Sequence, residues 1–371
     1  MHIRTLGRSG LRVSELALGT MTFGPGWGWG ADLDESRRIL DRFVEVGGNF
    51  VDTASNYTDG SSEEFVGELT HADRDRFVEV GGNFVDTASN YTDGSSEEFV
   101  GELVKGDRDR FVIATKYTLS LDPSDPNAGG NHRKSLVRAL EQSLRRLRTD
   151  YVDLLYLHMR DATTPIEEAV RALDDQVRLG KVLHVGISDS PAWVVAQANT
   201  LAELRGWTPF VALQVPYSAA GRSPERELFP MAASLGLAVV TWGVLDAGIL
   251  TGKPTEERRW PEDDVSERAQ RVVDALATVA RERGCTTAQV AIAWVRQRPS
   301  PPAVIPLVAA TREEQIVENL AAASIDLDAA ELAAIDDAGR PDLGFPRAFL
   351  ESSGVRELIY GETYERILAR A

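Results

Sequence analysis

The sequence predicts an α/β chain folded as a (β/α)8 TIM barrel that carries a duplicated strand–helix segment. Three observations carry this expectation. Short β-branched runs alternate with amphipathic helical patterns from one end of the chain to the other. The runs are almost continuously apolar, as strands covered on both faces in a parallel sheet must be. The stretch after the first run, GTMTFGPGWGWG (19–30), lacks the GxGxxG spacing that a doubly wound nucleotide-binding sheet would place there. No linker-like stretch divides the chain, so residues 1–371 are expected to form a single barrel.

The strands expected in chain order are Leu16–Thr20, Asn49–Ala54, Phe111–Lys116, Val152–His158, Val182–Ser188, Phe210–Val215, Ala238–Gly243 and Ala303–Val308, with a further run at Asn83–Ala88. Helical patterns lie between them, over 33–47, 132–147, 192–205, 226–235, 265–283, 287–297 and 312–322. In TTPIEEAVRALDDQVRLGK, Thr164 is expected to cap a helix, with Pro165 at its first position and Glu167 completing a capping box. Gly180 ends that helix, and Ala169, Val170, Leu173 and Val177 form its sheet-facing stripe.

Residues 41–69 recur letter for letter at 75–103, an offset of 34, and the tetrapeptide DRFV occurs at Asp41, Asp75 and Asp109. Residues 70–103 are therefore a redundant segment, a copy of the region 36–69, and 371 less 34 leaves about 337 residues to build the barrel. Unequal crossing-over between DRFV sites explains such a product. The first copy is expected to fill the barrel, because an insertion into a loop is tolerated better than a split helix. The second copy would then bulge outward, exposing apolar NFVDTA and inviting self-association. A nine-stranded barrel is the least expected arrangement, since it changes the shear.

Composition fits a soluble globular protein, with 43% hydrophobic and 26% charged residues. A net charge of −17 argues against nucleic acid or an anionic membrane as a partner. One cysteine, Cys285, precludes an internal disulfide framework, and the five histidines lack metal-ligand spacing. With no signal-like or membrane-length apolar run, a cytoplasmic enzyme acting on a small molecule is expected.

Barrel enzymes carry their chemistry at the C-terminal ends of strands. Here those ends hold Asp52 with Tyr57 beyond it, Lys116, His158, Ser188 with Asp189, Gln214 and Trp242. Singly, each has a bland explanation as a helix cap, a solvated charge or a core histidine. Together they form an apparatus for protonating an alkoxide. A phenol with a pKa of about 10 donates a proton more readily beside an ammonium, an aspartate can hold that ammonium, and a histidine can orient a carbonyl. No side chain donates hydride, so a nicotinamide is required. The repeat supplies an alternate acid and phenol, Asp86 and Tyr91.

At these residues the sequence resembles the aldo-keto reductases, in the bacterial branch that includes relatives of potassium-channel β-subunits. The resemblance runs through TLGRSGLRVSELALGTMTFG, VDTASNYTDGSSEEFVGEL, FVIATKY, RTDYVDLLYLHMRD, TPIEEAVRALDDQVRLGKVLHVGISDSPAW, FVALQVPYS, LDAGILTGK and VIPLVAATREEQIVENLAA. It implies NADPH-dependent reduction of a small aldehyde or ketone by a tetrad that maps onto Asp52, Tyr57, Lys116 and His158, with tyrosine as the acid. It further implies that Ser188 and Gln214 hold the nicotinamide carboxamide and that Trp242 stacks on the ring. Leu245, Gly248 and Lys253 would cover the pyrophosphate, and Gln315 and Asn319 would lie near the adenosine. The tail at 340–367, with Trp27 and Trp29, is expected to border the substrate pocket.

Two departures stand out. Asp189 replaces a common asparagine, leaving only acceptors. Ala309-Ala310-Thr311 stands where the family usually has a cation, so preference for NADPH over NADH rests on Arg312.

Overall fold

The computed structural model describes residues 1–20, 22–23, 30–52, 84–86, 108–254, 265–299, 301 and 303–367. The chain opens with an antiparallel hairpin, β1 (Ile3–Thr5) and β2 (Arg12–Ser14). It then enters a ring of parallel strands: β3 (Ala17–Gly19), β4 (Phe50–Asp52), β5 (Phe84–Asp86), β6 (Val112–Tyr117), β7 (Val152–Leu157), β8 (Val182–Ser188), β9 (Phe210–Pro216), β10 (Ala238–Trp242) and β11 (Val304–Val308). Each pairs with the next in parallel and β11 pairs with β3, so the barrel closes without a free edge.

Strand alternation divides the core in two. Ala17, Phe50, Ala114, Leu154, Tyr156, Ala212, Ala238, Val240 and Ile305 form the interior cluster. Their neighbours Leu18, Val51, Ile113, Leu155, Leu213 and Val239 join the larger cluster beneath the helices. Leu6 and Val13 of the hairpin region belong to the interior cluster and plug the end where the strands begin. That closure requires glycine at position 7. Its φ is +59°, and a Cβ there would stand 2.1 Å from the Val211 carbonyl.

The helices cover the outer face. Those between the strands and just after the last are α1 (Leu33–Glu45), α2 (Arg133–Arg146), α3 (Ile166–Arg178), α4 (Ala192–Arg205), α5 (Leu228–Leu235), α6 (Glu267–Arg283), α7 (Thr287–Arg296) and α8 (Glu313–Ala321). Three more, α9 (Ala329–Ala338), α10 (Arg347–Leu350) and α11 (Ser353–Tyr360), form the C-terminal region. Asp32 caps α1 through the Glu35 amide, and His132 caps α2 through the Ser135 amide. Gly180, at φ +73°, follows the end of α3 as expected. The expected cap of α3 is corrected. Pro165 is the N-cap without a side-chain bond, because the Thr164 hydroxyl donates instead to Asp161.

The expectation that the second copy lies outside the barrel is also corrected. Residues 84–86 form β5, in register with β4 on one side (Phe50↔Phe84, Asp52↔Asp86) and β6 on the other (Phe84↔Val112, Asp86↔Ala114). The α/β barrel is present, but its ring holds nine described strands where eight were expected. The physical reason is backbone pairing. A strand inserted between two parallel neighbours satisfies its N–H and C=O groups on both edges and buries Val85. An extruded strand would leave both exposed. Among the described residues, no helix is long and apolar enough to cross a membrane.

Candidate active site

The alternation that fills the interior also builds the site. Asp52 lies two residues beyond the interior Phe50, Lys116 beyond Ala114, and His158 beyond Tyr156. Gln214 and Trp242 stand in the same relation to the interior residues Ala212 and Val240. Ser188 lies two beyond Gly186, where a Cβ would meet the interior ring of Tyr156 at 2.4 Å. Period-two geometry therefore aims all six at the mouth where the strands end.

At that mouth Lys116 and Asp52 form a buried ion pair, Nζ to Oδ1 3.4 Å, with side chains only 2% and 7% exposed. The ammonium also lies 5.9 Å from the centroid of the Tyr156 ring, whose negative face supports a cation. His158 is held neutral, its pKa lowered to about 3, by burial first and then by the Lys116 charge, with Asp52 opposing. Its backbone amide donates to the Tyr117 carbonyl at 3.0 Å, tying it to the strand that carries Lys116. Neutral imidazole beside an ammonium is a hydrogen-bond partner rather than a charge.

Ser188 and Gln214 are paired in register across β8 and β9 and both are buried. Asp189 turns the chain at φ 36°, a left-handed conformation uncommon for a residue with a Cβ. Its carboxyl is pushed up by burial, against hydrogen bonds from its own amide and Ser188 and the charge of Lys116. Trp242 ends β10 with 43% of its surface open. The chain then turns through Asp246, Ala247 and Gly248, all at positive φ, to Lys253. Leu245 opens this turn and is half-buried.

The remaining expected contacts divide. Gln315 is engaged locally, its Oε1 accepting from the Thr311 amide and hydroxyl at 2.9 and 3.0 Å. Asn319 is buried and donates to the Ala309 carbonyl at 3.0 Å. Both shape the turn after β11, and Arg312 is the N-cap residue of α8 just beyond it. The Glu313 amide there is already bonded by the Glu35 carboxylate. The C-terminal tail is fastened to the loop after β9, where Arg226 donates to the Leu343 carbonyl at 3.1 Å and Arg347 donates to the Glu225 carbonyl. Tyr57, Tyr91, Trp27, Trp29 and the side chain of Asp86 lie outside the described residues.

Reading the sequence missed one cluster at this mouth. Asn131 and Asp161 exchange hydrogen bonds at 2.8 and 2.7 Å, joining the loops after β6 and β7. The only cue was an aspartate three residues beyond His158 in LHMRD.

Comparison with known proteins agrees with the geometry. The model of the "Aldo/keto reductase family" matches residues 15–78 and 71–340, overlapping where one repeat copy gives way to the other. A norsolorinic acid reductase of Aspergillus flavus is 37% identical over 354 residues, covering 92% of this chain and 82% of its own. An aryl-alcohol dehydrogenase [NADP(+)] of Phanerodontia chrysosporium is 35% identical over 362 residues, covering 91% and 85%. A putative aryl-alcohol dehydrogenase, AAD14, of Saccharomyces cerevisiae is 32% identical over 372 residues, covering 94% and 89%. The chain belongs to the aldo/keto reductase family.

Proposed function

We propose that this protein is an NADPH-dependent reductase of aldehydes or ketones, with Tyr57 as the general acid. The observation that carries the reading is the buried Lys116–Asp52 pair beside neutral His158 at the strand ends. Tyr57 follows Asp52 by five residues in the sequence, and its assignment as the phenol rests on that spacing. The Lys116 ammonium stabilises phenolate as the proton leaves, and Asp52 keeps that ammonium in place. His158, being neutral, donates a hydrogen bond to the carbonyl oxygen and fixes its direction.

A nicotinamide fits the residues present. The open indole of Trp242 offers an aromatic face, and buried Ser188 and Gln214 offer polar partners for a carboxamide. Asp189 would accept from the carboxamide amine, and Leu245, Gly248 and Lys253 would lie along the pyrophosphate. Arg312 would meet a 2′-phosphate, with Gln315 and Asn319 holding the turn beside it. When bound, the reduced ring supplies the hydride that no side chain can.

The relatives named for norsolorinic acid and aryl alcohols favour an aromatic carbonyl as substrate, and the NADP(+) in one relative's name supports NADPH over NADH. The motifs from LGRSGL to LHMRD support the bacterial branch related to potassium-channel β-subunits, and a cytoplasmic setting suits the cofactor. We read the repeat as a tandem duplication, on the identity of 41–69 with 75–103 and on the two family matches that meet between the copies. The test is nucleotide fluorescence titration together with NADPH consumption on a panel of aromatic and aliphatic aldehydes. Binding with turnover is expected. Binding without turnover would favour a nucleotide-sensing module, and neither would mean a barrel inactivated by its repeat.

A further inference from the structure

Thr118 lies two residues beyond Lys116 at φ 129°, a conformation that disfavours any residue with a Cβ. Asn131, fully buried, meets it there. Its Nδ2 donates to Thr118 Oγ1 at 3.0 Å and to the Met159 carbonyl, next to His158, also at 3.0 Å. Its amide donates to Asp161 Oδ2 and its Oδ1 accepts from the Asp161 amide. Asp161 further accepts from the amides of Thr163 and Thr164 at 2.6 and 3.1 Å and from both hydroxyls. Burial works against this carboxylate, yet the donated bonds hold it far below its usual range. The Arg160 amide reaches the Asp189 carbonyl at 3.3 Å, extending the clasp to the end of β8.

Two strand ends are thus fastened by one reciprocal pair and a third joins through the Arg160 amide, and each of the three strands carries a residue of the proposed site. A loop with only surface duties would not need a buried amide with every polar atom engaged across two loops. We propose that Asn131 and Asp161 are positioning residues for carbonyl reduction: their clasp sets the spacing between Lys116 and His158 at the mouth of the barrel. The inference rests on the reductase reading above.

The test uses full-length Asn131→Ala and Asp161→Asn, the second keeping its side-chain volume in case the first fails to fold. Thermal unfolding confirms that the variant assayed is folded. Turnover with NADPH and an aromatic aldehyde, nucleotide affinity by fluorescence, and the NMR titration of the His158 imidazole in the free protein are then read. Displacement of a reacting group by about 1 Å can cost on the order of 100-fold in rate. The expected result is a kcat lower by about 10- to 100-fold, nucleotide affinity within about threefold of wild type, and a His158 pKa moved up toward its ordinary value. A folded variant with unchanged kcat and an unshifted His158 would overturn the clasp. A wild type that binds nucleotide but reduces nothing would instead remove the reductase reading, a result distinct from the His158 titration.

Discussion

Asp52 on β4 pairs with Lys116 on β6 at 3.4 Å although β5 stands between their strands. Both point into the barrel, so they meet across its interior rather than along the sheet. The intervening strand does not part the pair. Asp52→Asn is therefore expected to lower kcat/KM by about 10- to 100-fold. It should also destabilise the fold by about 3 kcal/mol or more, by stranding a buried ammonium. Asp86→Asn should do neither. Chemical denaturation and steady-state kinetics on both variants check this, and equal effects would refute the assignment.

His158 gives a pH signature. Its pKa is about 3 when folded, below the ordinary 6.5, so between these values the unfolded chain binds a proton that the folded protein does not. The stabilisation this provides is complete above about pH 6.5 and is lost as pH falls toward 3. The slope is at most about 1.4 kcal/mol per pH unit. Asp161, held low by its donors, loses its contribution in the same direction at more acid pH. His158→Gln should flatten the dependence of denaturation midpoint on pH between 4 and 6, and an unchanged slope would show that other groups dominate.

Arg312 is the cation expected to meet a 2′-phosphate, and its surroundings are acidic. Glu35 occupies the Glu313 amide at the start of α8, and Glu313 is paired with Arg42 at 2.7 Å and Arg38 at 3.5 Å. With those two arginines engaged by Glu313, the proposed selectivity is assigned to Arg312. Arg312→Ala should weaken NADPH binding by about 10-fold while leaving NADH within about twofold. Equal weakening of both, by fluorescence titration, would place the phosphate elsewhere.

Much of the site was legible because alternation is local. An apolar run ending in Phe50-Val51-Asp52 or Tyr156-Leu157-His158 declares which residue faces inward once the inward phase is known. The position of the repeat was not legible, since identical segments carry identical local preferences and only the ladder to β4 and β6 separates an inserted strand from an extruded one. Thr164 was misread for a related reason. In sequence it precedes Pro165 as a cap would, but its hydroxyl is taken by Asp161, whose place depends on Asn131 thirty residues upstream.

Removing 34 residues anywhere within the repeat yields one and the same chain of about 337 residues. Barrel circumference grows with strand number, and the interior holds small residues at Ala17, Ala114, Ala212 and Ala238. The shortened ring should close more tightly around them. Its thermal midpoint is expected to rise by about 2 °C or more, as about 1 kcal/mol of better packing would give. A lower midpoint would mean that the ninth strand contributes to the fold.

The central claim, that the first copy supplies the acid of a carbonyl reductase, is tested most directly by NADPH consumption with an aromatic aldehyde in wild type, Tyr57→Phe and Tyr91→Phe. Turnover by wild type and Tyr91→Phe, with Tyr57→Phe reduced by at least about 100-fold, is the predicted result. Loss in Tyr91→Phe alone, or turnover surviving in both variants, would contradict it.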